Sequence, residues 1–296
     1  MAAAVQHPQG DVLAPLNFYS PPEDGSAPWN LAGDVPAGAV PRNFGTATHD
    51  VLIHDLRNRE SNFTLDKDAF QVLLNQPPSS EISFTDDASI EQNYYPEVTD
   101  LLLSTVPGAT KVIIFDHTIR RTSPTATRQP VFRVHIDQTA SSTAQRVRRH
   151  ASSPAEAASL LQSQRYRIIN VWRPLNARPV ESFPLAFASS STVSDSDVVP
   201  VEHRYSSTGY VGQTAAIRHN PGQKWHYLSG MTGDERILLE CFDSEANREG
   251  GDSQVKGGRV PHTAFEDPRT RDGAEGRESI EVRALVFGPG VDAEKN

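Results

Sequence analysis

The chain has 296 residues, a formal charge of −9 and scattered basic residues, which argues against a nucleic-acid surface and for a small-molecule or protein partner. Its one cysteine, Cys241, excludes an internal disulfide framework and any cysteine-rich zinc or iron–sulfur centre. No stretch approaches the roughly 18 apolar residues that span a bilayer, and residues 1–8 lack the basic and apolar regions of a secretory signal, so a cytosolic, reducing location without a membrane is expected.

Residues 1–45 are rich in Pro, Gly and Ala and are predicted to form an irregular arm laid over a core. Residues 49–55 follow as a strand, in which His54 and Asp55 are adjacent, point to opposite faces and cannot share an ion. Apolar spacing predicts a helix over 63–74, stopped by Pro77 and Pro78, and a second helix over 86–104 that carries Tyr94 and Tyr95 as packing residues. Residues 46–110 thus form a helical and strand layer.

From residue 111 the texture changes to short strands and turns. Strands are expected at 111–116, 130–137, 167–172, 183–187, 208–217, 224–229, 236–242 and 279–287, with helix over 143–165 broken near Pro154. The dense basic run 145–150 reads as the solvated face of that helix. Cys241 lies in an apolar run and reads as a buried structural thiol. There is no fixed repeat and no βαβ alternation. The expected architecture is mainly β with flanking helices: one domain over 1–296 whose 111–290 region is a double-stranded β-helix (jelly-roll or cupin-like) core under a helical and irregular N-terminal layer.

The chemically suggestive element is His135-Ile136-Asp137, which ends an apolar run. On a strand, residues i and i+2 share a face, so His135 and Asp137 can grip one ion from one wall, and a distant His262 can complete a set of two imidazoles and one carboxylate. Such a set leaves positions on Fe(II) open for a co-substrate and O2. The alternative is a histidine satisfied by hydrogen bonds near a solvated strand end. His117 is a rival ligand, but its neighbour Asp116 projects to the other side of a strand and fits the pattern less well.

Taken in order, Tyr94-Tyr-Pro-Glu97, Phe115-Asp-His-Thr-Ile-Arg120, Val134-His-Ile-Asp137, Asn170-Val-Trp-Arg-Pro174, Lys224-Trp-His-Tyr227, Phe242-Asp-Ser244 and Pro261-His-Thr-Ala-Phe265 ahead of Arg277-Glu-Ser279 carry a resemblance. Over residues 45–287 the chain resembles the fungal AsaB-like hydroxylase/desaturase family, gibberellin desaturase-like and related to the cephamycin methoxylation component CmcJ. The resemblance implies a non-haem Fe(II) enzyme with 2-oxoglutarate and O2 as co-substrates, hydroxylating or desaturating a small, secondary-metabolite substrate. It implies His135, Asp137 and His262 as iron ligands and Arg277 as the anchor of the distal carboxylate of 2-oxoglutarate, a task suited to a planar, bidentate guanidinium.

Arg283 shares strand parity with Arg277 and competes for that task, with Arg277 preferred as nearer the barrel rim. Arg173 and Tyr227 are further candidates for holding the co-substrate, each with a structural role as the alternative; Arg120 and Arg121 face either an acidic substrate or a solvated turn. Two other classes stay open: a non-catalytic jelly-roll partner subunit of a two-component modifying system, and a metal-dependent hydrolase or isomerase. The oligomeric state, homo-oligomer included, is not set by these residues.

Overall fold

The computed structural model describes residues 7–33, 35–36, 38–123, 125–246 and 255–289. Strands run β1 (Val12–Ser20), β2 (Trp29–Ala32), β3 (Gly45–Asp55), β4 (Phe70–Leu73), β5 (Lys111–Arg121), β6 (His135–Ile136) and β7 (Gln164–Pro174). They continue as β8 (Leu185–Ala188), β9 (Val198–Tyr205), β10 (Val211–Ile217), β11 (Trp225–Tyr227), β12 (Arg236–Asp243), β13 (His262–Ala264) and β14 (Glu278–Pro289). The helices are α1 (Leu65–Asp68), α2 (Asp87–Thr105), α3 (Ala140–His150) and α4 (Pro154–Ser163).

Two sheets hold these strands. The larger has the order β1-β3-β11-β8-β13-β6-β10-β9-β2, and the smaller β4-β12-β7-β14-β5. Their facing side chains form one apolar core: Phe187, Ile217 and Trp225 of the larger sheet share a cluster with Trp172, Leu239, Leu285 and Phe287 of the smaller. This is the jelly-roll arrangement of two curved sheets closing over a common interior.

The outer face of the smaller sheet is covered by α2. Asp86 caps it, accepting from the Ser89 N–H at 2.8 Å, and Ile90, Tyr94, Val98 and Leu102 recur every four residues on one buried stripe. That stripe packs on Ile169, Val171, Leu238, Ile280 and Val282. Each such side chain contributes about 1.5–3 kcal/mol of burial.

Three expectations are corrected. The N-terminal arm is not irregular throughout: β1 pairs antiparallel with β3 along its whole length, from Val12 opposite Ile53 to Ser20 opposite Gly45. The segment 63–74 is not one helix, because Ala69 adopts φ of 63° and ends α1 after one turn, and β4 then pairs with β12. Tertiary pairing overrides the helical spacing there. In the span 130–137 only His135 and Ile136 are strand. Outside the N-terminal arm, besides the short β13, the strand β9 has no counterpart in the sequence reading. It carries Pro200, tolerated because β2 pairs with β9 only at Glu202–Tyr205 and leaves one side of Pro200 free of a strand.

His54 and Asp55 do separate work. His54 Nδ1 lies 2.7 Å from Asp11 Oδ2, while Asp55 accepts from the N–H groups of Gly10 and Ser229 at 2.8 and 3.1 Å and ties the N-terminal arm to the sheet.

The interior also holds His226 on β11, 6% exposed and packed on Phe63 and Phe70. Burial, helped by the nearby His54, pushes its imidazole down from 6.5 to about 4. The folded form therefore binds its proton less readily than the unfolded chain does. Its stabilisation is complete above pH 6.5 and is lost as pH falls toward 4, by about 3 kcal/mol. Denaturant titrations at pH 7 and pH 4 are expected to show this loss in the native chain and a smaller loss in His226→Phe; parallel losses would assign the acid sensitivity elsewhere.

Candidate metal centre

The centre lies where the two sheets face each other. In the larger sheet β13 runs between β8 and β6, and this places His262 directly opposite His135. Their rings sit 4.4 Å apart. Asp137 follows β6 by one residue, with its Oδ1 3.4 Å from His135 Nε2. One ligand atom from each of the three residues falls within 4.8 Å of the others.

Hydrogen bonding selects which atoms remain available. His135 Nδ1 faces the Arg133 carbonyl at 2.8 Å, and His262 Nδ1 faces the Val260 carbonyl at 3.1 Å. Each ring thus carries a proton on Nδ1 and turns its Nε2 toward the other two residues. Burial, reinforced by His135, pushes the His262 pKa below 6.5, so this imidazole is neutral at pH 7.

Asp137 is treated in the same way. Its Oδ2 accepts from Arg283 Nε at 2.8 Å and from Asn170 Nδ2 at 2.9 Å, which leaves Oδ1 toward the histidines. Burial alone would raise this carboxyl, but the Arg283 guanidinium beside it outweighs burial and holds the group well below the usual carboxylate range. Two neutral nitrogens and one carboxylate oxygen, oriented by neighbours, are a donor set that fits octahedral Fe(II) with open positions.

The smaller sheet supplies the opposite wall. On β14 the odd positions face inward: Ser279 and Glu281 line the pocket, Arg283 meets Asp137, and Arg277 lies just before the strand. β7 adds Asn170 and Trp172 in register with Arg283 and Glu281. On β5, Phe115 is an extra residue opposite the Arg283–Ala284 step. Asp116 and Thr118 consequently reach Arg283, whereas His117 turns away and bonds the Tyr95 hydroxyl of α2 at 2.9 Å. His117 is therefore remote in role from the triad.

Arg277 is 2% exposed. Its NH1 donates to the Phe183 carbonyl at 2.7 Å, its guanidinium lies 5.7 Å over Trp172, and its Nε is buried without a partner. Burial, with Arg120 nearby, pulls its pKa down to about 9. It lines a narrow pocket whose wall includes His135 and His262. A buried guanidinium with an unmet donor is poised for an anion.

The other anchors expected from sequence lie elsewhere. Arg283 does not face the pocket with free donors: Asp137, Thr118, Asp116 and Glu281 engage it. Arg173 is on the outer face of the sheet, over the rings of Phe84 and Tyr94, with its Nε on the Gly233 carbonyl. The Tyr227 hydroxyl donates to the Gly10 carbonyl and accepts from Arg269, both at 2.7 Å, as a structural group. Sequence reasoning gave no role to Asn170 or Glu281; parity with Trp172 and Arg283 is the signal that places both on the inner wall.

A jelly roll with two imidazoles and a carboxylate converging beside a buried arginine belongs to the class of mononuclear non-haem metal oxygenase sites. Comparison with known proteins narrows the class. Residues 16–287 match the family described as Oxidoreductase/YMDC permease-like domain. The chain is 39% identical to the hydroxylase/desaturase poxK of Penicillium oxalicum over 95% of its own length and 92% of that protein. It is 34% identical to the alpha-ketoglutarate-dependent dioxygenase phiK of a fungal species, over 97% and 99% of the two chains. Among solved structures, the iron and alpha-ketoglutarate-dependent endoperoxidase NvfI superposes with a TM-score of 0.81 at 29% identity, covering 95% of this chain and 99% of that one. The chain belongs to the fungal hydroxylase/desaturase family of Fe(II)- and 2-oxoglutarate-dependent dioxygenases.

Proposed function

We propose that His135, Asp137 and His262 hold Fe(II), that Arg277 binds the distal carboxylate of 2-oxoglutarate, and that this domain hydroxylates or desaturates a small secondary-metabolite substrate. The observation that carries the reading is the pairing of three oriented ligand atoms within 4.8 Å with a buried guanidinium in the adjoining pocket. Iron, 2-oxoglutarate and O2 together supply the oxidising power to remove hydrogen from a C–H bond.

The residues of the chain set the conditions for that chemistry. Val260 and Arg133 carbonyls keep the imidazole protons on Nδ1, Arg283 and Asn170 keep Asp137 ionised and aimed, and Trp172 and Leu185 wall the anion pocket against water. No helix among the described residues is long and apolar enough to cross a membrane. The buried, unpaired Cys241 on β12 fits a reducing, cytosolic setting.

The test is an anaerobic optical titration with Fe(II) and then 2-oxoglutarate. A weak visible charge-transfer band that needs both is expected, followed by succinate release once O2 and a substrate are added. Fe(II) binding without the band would turn the reading to iron chemistry that does not use 2-oxoglutarate. No metal binding in folded protein would favour a partner subunit.

A further inference from the structure

Beside the triad lies a second cavity, of about 290 Å³ and open to solvent, with His135 and Asp137 in its wall. Five guanidiniums line it, those of Arg120, Arg128, Arg133, Arg146 and Arg283, against two carboxylates, Asp116 and Asp137. Both carboxylates are already bonded to Arg283. Among the described residues the other four arginines form no ion pair, although the chain as a whole carries a charge of −9.

Other arginines of the chain do meet acids: Arg165 pairs with Asp243, Arg269 with Asp267 and Arg271 with Glu181. Arg120 and Arg128 have only neutral acceptors, the Gln129 carbonyl and the Thr118 hydroxyl, at 3.0 Å each. Among the described residues, Arg133 and Arg146 have no side-chain hydrogen bond. Each lies on a ring, Arg133 5.3 Å over Phe44 and Arg146 5.0 Å over Phe115, and Arg146 Nε is buried without a partner. The basic run of α3, expected on sequence to be solvated, thus sends one arginine into this cavity.

A guanidinium held over an aromatic face is restrained in position while N–H groups stay available, and a planar guanidinium can meet a carboxylate with two parallel bonds. Several such groups around a cleft also concentrate anions there. We propose that the substrate enters as a carboxylic acid, its carboxylate held by Arg133 and Arg146 and the carbon to be oxidised held against the His135–Asp137 wall. The proposal deepens the dioxygenase reading and rests on it, since the cavity is a substrate site only if the triad holds the metal.

The probes are 2-naphthoate and its neutral counterpart 2-naphthamide, titrated calorimetrically into anaerobic enzyme loaded with Fe(II) and 2-oxoglutarate. Naphthoate is expected to bind at least about tenfold more tightly. The advantage should shrink as salt is raised, vanish in the Arg133→Gln/Arg146→Gln double variant, and survive in the Arg133→Lys/Arg146→Lys pair, which keeps the charge. Equal affinities, an advantage untouched by the glutamine pair, or no binding of either probe would overturn the acid substrate. The visible band of each sample separates the two readings. With the band present, those outcomes remove only the acid substrate; with it absent, the 2-oxoglutarate-dependent reading on which the proposal rests fails.

Discussion

Asp137→Asn is expected to lower turnover by three orders of magnitude or more while leaving the protein folded, on the order of what losing one of three protein ligands entails when changes in outer partners alone cost about 10–100-fold in metal affinity. The asparagine keeps the size of the carboxylate and its contact with Asn170, but it neutralises the charge that Arg283 and the two imidazoles surround. Asp137→Ala is the less clean variant. It leaves Arg283 buried with Glu281 and a 3.4 Å contact to Asp116 as its remaining acids, and removing one member of a buried pair commonly costs about 3–5 kcal/mol of stability. His135→Ala and His262→Ala should match Asp137→Asn in activity. The measurement is Fe(II) binding by anaerobic titration beside product formation. Wild-type iron affinity in all three variants would remove the triad assignment.

The second large effect is expected at Arg277. In Arg277→Met, Fe(II) binding should persist while the apparent KM for 2-oxoglutarate rises steeply. Truncating one partner of a buried, hydrogen-bonded charge pair costs about 2–5 kcal/mol, or on the order of 30-fold to several thousand-fold in affinity. kcat at saturating 2-oxoglutarate should fall less, because the lost contact is to the end of the co-substrate far from the metal. Stability should not suffer, since the guanidinium is buried in the free protein beside an unmet Nε donor and its pKa is already depressed by burial. A KM unchanged in the variant would shift the anchor to Arg120, the other arginine that lines this pocket. Arg173 and Tyr227 are excluded from that inheritance by their places over Phe84 and on Gly10.

Much of the site was legible because its key spacing is local. Strand parity alone puts His135 and Asp137 on one wall, and the same parity links Arg277 with Arg283. What parity does not tell is which partner each side chain meets. Arg277 and Arg283 face the same interior, yet one ends against a backbone carbonyl and an empty pocket while the other is closed around Asp137. Their difference arises from the strand opposite, through register. The extra residue at Phe115 likewise decides that Asp116, not His117, looks toward the site, and nothing in the local sequence marks that shift.

The elements divide in the same way. α2 was readable from residues 86–104 because capping and a four-residue apolar repeat are properties of one segment. β4 was misread as helix, and β1 and β9 were missed, because each owes its extended form to a distant partner: β12, β3 and β10. By itself, then, the sequence determined the strand-rich class and the family, and it supplied the proposed ligand triplet, all encoded in short-range pattern and residue type. Only the tertiary structure decided which arginine was left free to bind an anion and which was bound to the ligand carboxylate. It also decided that four further guanidiniums gather around one cavity with no ion pair among the described residues. Such choices depend on long-range register and on which charges meet after the sheets close.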